Sequence, residues 1–189
     1  MWFKRLSLIS LLVLIVLELA LQYDTFARQL ALASTNILLV LLYWGVSRYL
    51  RQHSVVLPNW IWFLVAWGIW LDAIGNFAGL YARFTWWDQF VHFFNPITIT
   101  VVFFFIFEGF RASRQYDLPK YWHYYVVISG AMFISVLYEL TEYLGDILFD
   151  THRITNLLDT VDDLWWALLA SIIVVLILGQ KSRKKLTDS

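Results

Sequence analysis

The chain contains no cysteine. That excludes disulfides, iron–sulfur clusters and thiolate zinc sites, and it removes the usual clue to redox compartment. Charge is also scarce: 15% of the 189 residues are Asp, Glu, Lys or Arg, against about 25% in an ordinary soluble domain. The 14 basic and 14 acidic residues cancel, so there is no basic surface of the kind nucleic-acid binding needs. No P-loop, dinucleotide fingerprint, Ser-His-Asp spacing or His-rich metal motif is present. Nor is there a Pro/Ser-rich linker or a low-complexity segment, which points to a single domain over residues 1–189. What is abundant is apolar: 60% of the residues are hydrophobic and 19% of all residues are aromatic. A soluble fold of this size cannot bury that much apolar surface, and disorder is excluded on the same ground. The solvent that suits the composition is lipid.

Apolar runs near the length that crosses a bilayer, about 20 residues, occur at 3–21, 30–46, 60–81, 90–110, 121–144 and 164–179. They are continuous rather than alternating, so they predict helices and not barrel strands. The expectation is an all-α, polytopic membrane protein with six transmembrane helices. The first run has Lys4 and Arg5 ahead of it, like a signal peptide, but no A-x-A site follows and Glu18 interrupts it, so a retained helix is expected. With the N-terminus inside, the cytoplasmic segments hold Lys4, Arg5, Arg48, Arg51, Arg111, Arg114, Lys120, Lys181, Arg183, Lys184 and Lys185, and the outer ones hold Arg28, Arg83 and Arg153. This asymmetry predicts both termini in the cytoplasm. Trp60, Trp62, Tyr121, Trp122, Trp86, Trp87, Trp165 and Trp166 fit interfacial belts.

The ionisable residues inside the runs share a depth. The third run carries Asp72 and Asn76 one turn apart, on the side of Gly68, Gly75 and Gly79, small residues that allow a neighbour close. The fourth opens with Asp88 and His92 at i and i+4, a pair that suits two metal ligands or a carboxylate orienting an imidazole. An acid favoured by the helix dipole is the plainer alternative for Asp88. Glu139, Glu142 and Asp146 lie on one stripe of the fifth, where mutual repulsion calls for a cation, shared protons or basic partners. Asp146 alone also reads as a water-facing helix end. The acidic stretch 145–163 adds Asp159, Asp162 and Asp163 before the last run, one or two of which cap that helix in the plainer reading. Arg153 is the one fixed cation nearby and is expected to pair with one acid. Because the runs alternate in direction, all of these, with Glu18 and Asn36, fall in the outer half of the membrane. Glu108 is the exception, at the cytoplasmic end, and His53 and His123 look incidental.

Three of these stretches resemble a known family. Trp87-Asp88-Gln89-Phe90-Val91-His92-Phe93 is similar to the Tyr-Asp-x-x-x-His-Phe motif of the YjdF-like bacterial inner-membrane proteins. Tyr138-Glu139-Leu140-Thr141-Glu142-Tyr143 resembles their Tyr-Glu-x-x-Glu-Trp motif, and 158–164 resembles their Trp-Asp-Thr-x-x-Asp-Met motif at Asp159 and Asp163. The likeness covers about 72–178. A more distant one is to VanZ-like proteins, which also pair an Asp-x-x-x-His-Phe with a later Glu motif. The segment 150–156 replaces a Gly-rich stretch of the family pattern, so the resemblance implies nothing about His152 or Arg153. It supports which residues matter and implies no activity.

The combined expectation is a divalent-metal site (Mg, Mn, Fe or Zn). Asp88, His92, Glu139, Glu142, Asp159 and Asp163 are its candidate ligands, and Asp72, Asn76, Asp146 and Asp162 support them. Such a site suits hydrolysis or transfer on a membrane-embedded substrate, with a lipid or small-molecule ligand entering from the outer face. The alternatives are a transporter or binding protein for a cation or polar small molecule, and a structural protein with a proton-sharing network. The hairpins 60–110 and 121–179 also echo each other, which suggests a parallel repeat.

Overall fold

A computed structural model describes residues 2–21, 23–113, 119–154 and 157–187, with 157 and 181–187 described in backbone only. Arg114 and Asn156 therefore lie outside the described residues, as do the basic side chains from Lys181 onward. The described chain is all helical: α1 (Trp2–Ala20), α2 (Phe26–Gln52), α3 (Asn59–Phe77), the single turn α4 (Leu80–Arg83), α5 (Trp86–Ala112), α6 (Lys120–Phe149) and α7 (Leu157–Thr187). Five of these, α2, α3, α5, α6 and α7, are long and apolar enough to cross a membrane. The chain is thus a multi-pass membrane protein. The first helix carries Lys4, Arg5 and Glu18 within its 19 residues, and the five-helix set does not include it.

The bundle is organised around α5, which packs against α3, α6 and α7, while α1 lies against α2 and α3. Leu11, Leu14, Tyr43, Ile61, Ala66, Val101 and Val174 form the main buried cluster. Phe104, Val127 and Val175 form a second one where α5, α6 and α7 meet. Large apolar side chains such as Ile9, Leu41, Phe133 and Leu176 are left exposed on the outside of the bundle, as helices solvated by hydrocarbon require. Several buried polar groups are paired within the bundle. The Thr100 hydroxyl lies 3.0 Å from Ser171 Oγ and ties α5 to α7. Lys4 reaches Ser47 and lies 4.4 Å over the ring of Trp62. That contact corrects the expected interfacial place of Trp62, which is buried.

Small residues set the α3–α5 spacing, as expected for Gly68 and Gly75. A Cβ on Gly68 would lie 2.5 Å from Asn95 Oδ1, and one on Gly75 would collide with Trp87 and Tyr81. Gly79 does not share that face. It stands at φ +60° just after α3, the left-handed conformation glycine adopts without a Cβ penalty. The helix therefore stops at Phe77 and not at residue 81, and the chain turns through α4 into α5. In the opposite direction, α6 runs on past 144 to Phe149 and α7 starts as early as Leu157, because polar residues extend a helix beyond its apolar stretch without ending it. Pro96 sits inside α5. It has no N–H for the carbonyl four residues back, that of His92.

Candidate functional site

The C-terminal ends of α3 and α6 and the N-terminal ends of α5 and α7 come together at one end of the bundle. Asp88 occupies the first turn of α5, and His92 follows on the same face. Nε2 of His92 lies 3.6 Å from Asp88 Oδ1 and 3.7 Å from Asp163 Oδ2 on α7. Its Nδ1 lies 3.4 Å from Glu139 Oε1 on α6. The imidazole, buried like Glu139 and Asp163, thus stands between two sets of acids. Asp88, His92 and Asp163 offer ligand atoms within 4.8 Å of one another, and so do His92, Glu139 and Glu142. Thr160 of α7 faces the Glu139 carboxylate. Its Oε2 and the Oδ1 of Asp163 are buried with no hydrogen-bond partner, in residues only 6% and 4% exposed. An unmatched buried carboxylate oxygen is costly.

The two glutamates do not share one fate. Glu142 Oε1 lies 2.7 Å from Arg153 Nη2, which is also 3.2 Å from Asp72 Oδ1. The same nitrogen donates to the Tyr138 hydroxyl at 2.9 Å, and the guanidinium lies 5.5 Å from the centre of the Tyr138 ring. Tyr81 donates to Asp72 at 2.5 Å. Burial alone would lower the pKa of Arg153, but Tyr138, Glu142 and Asp72 outweigh it and push it well above the usual arginine range. Of the cation, shared protons or basic partners that the acids call for, the structure shows a basic partner within the chain. Arg153 pairs with two acids, not one, and its loop supplies a fixed cation between α3 and α6.

Asp146 explains how that loop is held. Its carboxylate accepts from the Thr151 hydroxyl at 2.5 Å, from the Arg153 backbone N–H at 2.8 Å and from the Ile154 N–H at 2.9 Å. These bonds fold the chain after α6 back on itself. They offset the positive φ of Asp150 (55°) and His152 (52°), a conformation that costs non-glycine residues about 1–3 kcal/mol each. Asp146 thus positions Arg153 and is turned away from the shared stripe with Glu139 and Glu142. Asn76 donates to the Asp72 carbonyl at 3.0 Å and accepts from Arg28 Nη2 at 3.4 Å. Asp159 lies in the first turn of α7 and lines a cavity of about 470 Å³ with Asp88, Glu142, Arg28, Asn76, Tyr81, His152 and Arg153. Asp162 is exposed. It is not brought to the cluster, because its side chain leaves α7 about 100° round from that of Asp163.

Sequence reasoning missed Tyr81, Thr160 and the part played by Arg28. Only Tyr138 carried a signal, as the residue ahead of the Glu139 motif. At the opposite end of the bundle, His123 is not incidental. It is 1% exposed, lies 3.5 Å from Glu108 Oε1 and packs edge-on to Phe104.

The model of one protein family matches residues 4–184, and its description reads "Predicted membrane protein (DUF2238)". The chain belongs to this family. DUF2238 is the YjdF family, in agreement with the motifs around Asp88, Glu139 and Asp159. No curated protein and no solved structure matches the chain. The DUF2238 description carries no activity, so chemistry has to be argued from the carboxylates and the imidazole themselves.

Proposed function

We propose that this protein binds a divalent metal ion among Asp88, His92 and Asp163 and uses it for hydrolysis or group transfer on a membrane-embedded substrate. One observation carries the reading. Two buried carboxylate oxygens, on Asp163 and Glu139, lack partners on either side of one imidazole. A neutral imidazole has one lone pair and one N–H. With the lone pair on Nε2, facing Asp88 and Asp163, the Nδ1–H faces Glu139. That is the carboxylate–histidine–metal arrangement in which the outer acid fixes the tautomer and raises ligand basicity. Glu142 is a poorer ligand, since Arg153 already holds it. Asp159 stands at the cavity and Asp162 outside the set. An ion held by two carboxylates and one imidazole would supply Lewis-acid activation of water and of an acyl or phosphoryl oxygen. The donor set suits Mg, Mn, Fe or Zn.

The topology that goes with this reading has six spans, α1 included, with both termini in the cytoplasm and the site in the outer half of a bacterial inner membrane. It rests on the basic residues, most of which lie at the other end of the bundle. The VanZ-like likeness rests only on Asp88, His92, Phe93 and the later glutamates. The transport alternative needs polar access from both sides, whereas α5 continues inward from the site through Val101, Val102, Phe103 and Phe104. Metal analysis of the purified protein tests the proposal. One ion per chain is expected, lost in Asp163→Asn and kept in Asp162→Asn. Absence of metal after reconstitution with each of the four ions, in protein that remains folded, would overturn it. A cation flux into liposomes that Asp72→Asn abolishes would favour transport instead.

A further inference from the structure

The cavity beside the cluster is chemically two-sided. Its polar residues from α2, α3 and α4 are Arg28, Asn76 and Tyr81, and its acids, all from α5, α6 and α7, are Asp88, Glu142 and Asp159, with Arg153 between them. The two guanidiniums differ in how firmly they are held. Arg153 is locked by Glu142 and Asp72 and forms a fixed positive wall. Arg28 is held loosely. Its ion pair with Asp24, 2.9 Å long, joins side chains 27% and 29% exposed, a pairing worth at most about 1 kcal/mol. Its Nη2 reaches only the neutral Asn76, and its Nε is buried with no hydrogen-bond partner. Arg28 therefore has a donor to give and a weak tie to exchange. Its contact Asn76 and the Arg153 contact Asp72 are one turn apart on α3, about 6 Å. Both guanidiniums thus border the same small space next to Asp88.

We infer that this cavity is the receptor for a phosphate group, bound between Arg28 and a divalent ion seated on Asp88, His92 and Asp163. This rests on the metal reading above. The lining alone carries three carboxylates against two guanidiniums, which repels a dianion. A divalent ion on Asp88 reverses that balance, so the anion binds after the ion and each tightens the other. Phosphate fits better than a carboxylate. It offers oxygens enough to touch the ion and a guanidinium together, and hard ions held by few carboxylates complete their coordination with phosphate oxygens. The cavity, about 470 Å³, exceeds the size of the anion and leaves room for an ester group, so the phosphate comes either as a free ion or as the headgroup of a lipid monoester.

The test uses the full chain with Mn²⁺ alone, inorganic phosphate alone, and both, followed by calorimetry in detergent, and then nanodiscs with or without phosphatidic acid. Mn²⁺ binds by itself, and phosphate binds only to the Mn²⁺-loaded protein. Arg28→Gln lowers phosphate affinity about tenfold or more while Mn²⁺ affinity stays unchanged. Tight binding of inorganic phosphate assigns the free ion. Mn²⁺ affinity raised by phosphatidic acid over phosphatidylcholine, with no effect of inorganic phosphate, assigns the lipid headgroup. If Mn²⁺ binds but neither form of phosphate does, or phosphate binds equally without Mn²⁺, or Arg28→Gln changes nothing, the inference falls and the metal reading stands. If Mn²⁺ does not bind, both fall.

Discussion

Replacing Arg153 by methionine removes the charge but keeps most of the volume, so it isolates the electrostatics of the loop. Arg153 is 13% exposed and Glu142 7%, which places the pair among those where desolvation is already complete in the folded state. Breaking such a pair by deleting one partner leaves the other charge buried and uncompensated, at about 3–5 kcal/mol. Here the orphan is Glu142, since Asp72 keeps the Tyr81 hydroxyl. Arg153→Met should therefore cost about 3–5 kcal/mol, whereas Arg153→Met combined with Glu142→Gln should cost clearly less than the two single changes added together, by about 1–3 kcal/mol of coupling. The assay is reversible unfolding in mixed micelles with rising SDS, read by the fluorescence of the tryptophans. The raised pKa of Arg153 means its contribution is complete below the unfolded arginine value. It is lost only as pH rises through the higher folded value. A single-variant cost below about 1 kcal/mol, as for an exposed pair, or strict additivity in the double variant, would refute the argument.

Three further outcomes follow from the same geometry. Asp146→Ala removes three hydrogen bonds from the turn that carries Arg153. It should destabilise the protein by about 1–3 kcal/mol and raise amide hydrogen exchange at 151–154 before any other segment. Gly68→Ala places a Cβ 2.5 Å from Asn95 Oδ1 and should cost about 1–3 kcal/mol by overpacking α3 on α5, measured by thermal melting in detergent, while Gly45→Ala, which meets nothing within 4 Å, should be neutral or better. Glu139→Gln keeps the shape but weakens the acid facing His92 Nδ1. On the metal reading it should lower Mn²⁺ affinity about 10–100-fold, and calorimetry showing no loss would remove Glu139 from that role.

The helices were legible because a 20-residue apolar run in lipid has no other way to satisfy its backbone. Their ends were not. The stop at Phe77 is made by Gly79 in a left-handed turn, and α6 runs on to Phe149 because neither Glu142 nor Asp146 breaks a helix. The acids on regular spacing were legible too. Asp88 with His92 and Glu139 with Glu142 sit one turn apart, and both pairs meet at one place. Arg153 could be named but not assigned its partners, since residues 150–154 have no periodicity from which to read direction. Asp162 nearly shares a helix face with Asp159 by spacing, yet it is exposed while Asp163 is buried, since adjacent helical residues point to different sides. Thr160 and Tyr81 are ordinary residues for a helix start and a turn, and only the fold brings them to acids.

Assigning each acid at this end of the bundle to its partners narrows what an ion would need. Glu18, away from His92, accepts from Asn36 Nδ2 at 2.6 Å through one oxygen, while its other oxygen is buried without a hydrogen-bond partner. Asp146 is spent on the loop backbone, Asp72 and Glu142 on Arg153, and Asp162 faces outward. The acids left facing His92 are Asp88, Asp163 and Glu139, and the last two hold oxygens with no partner. One imidazole has a single proton to give in its neutral form, and three carboxylates surround it. A pocket built only for stability would gain by trading these groups for packed apolar side chains, as the rest of the bundle has done at Val101 and Val174. This set beside the cavity, with Arg153 already answering the neighbouring acids, is the observation on which the metal proposal rests.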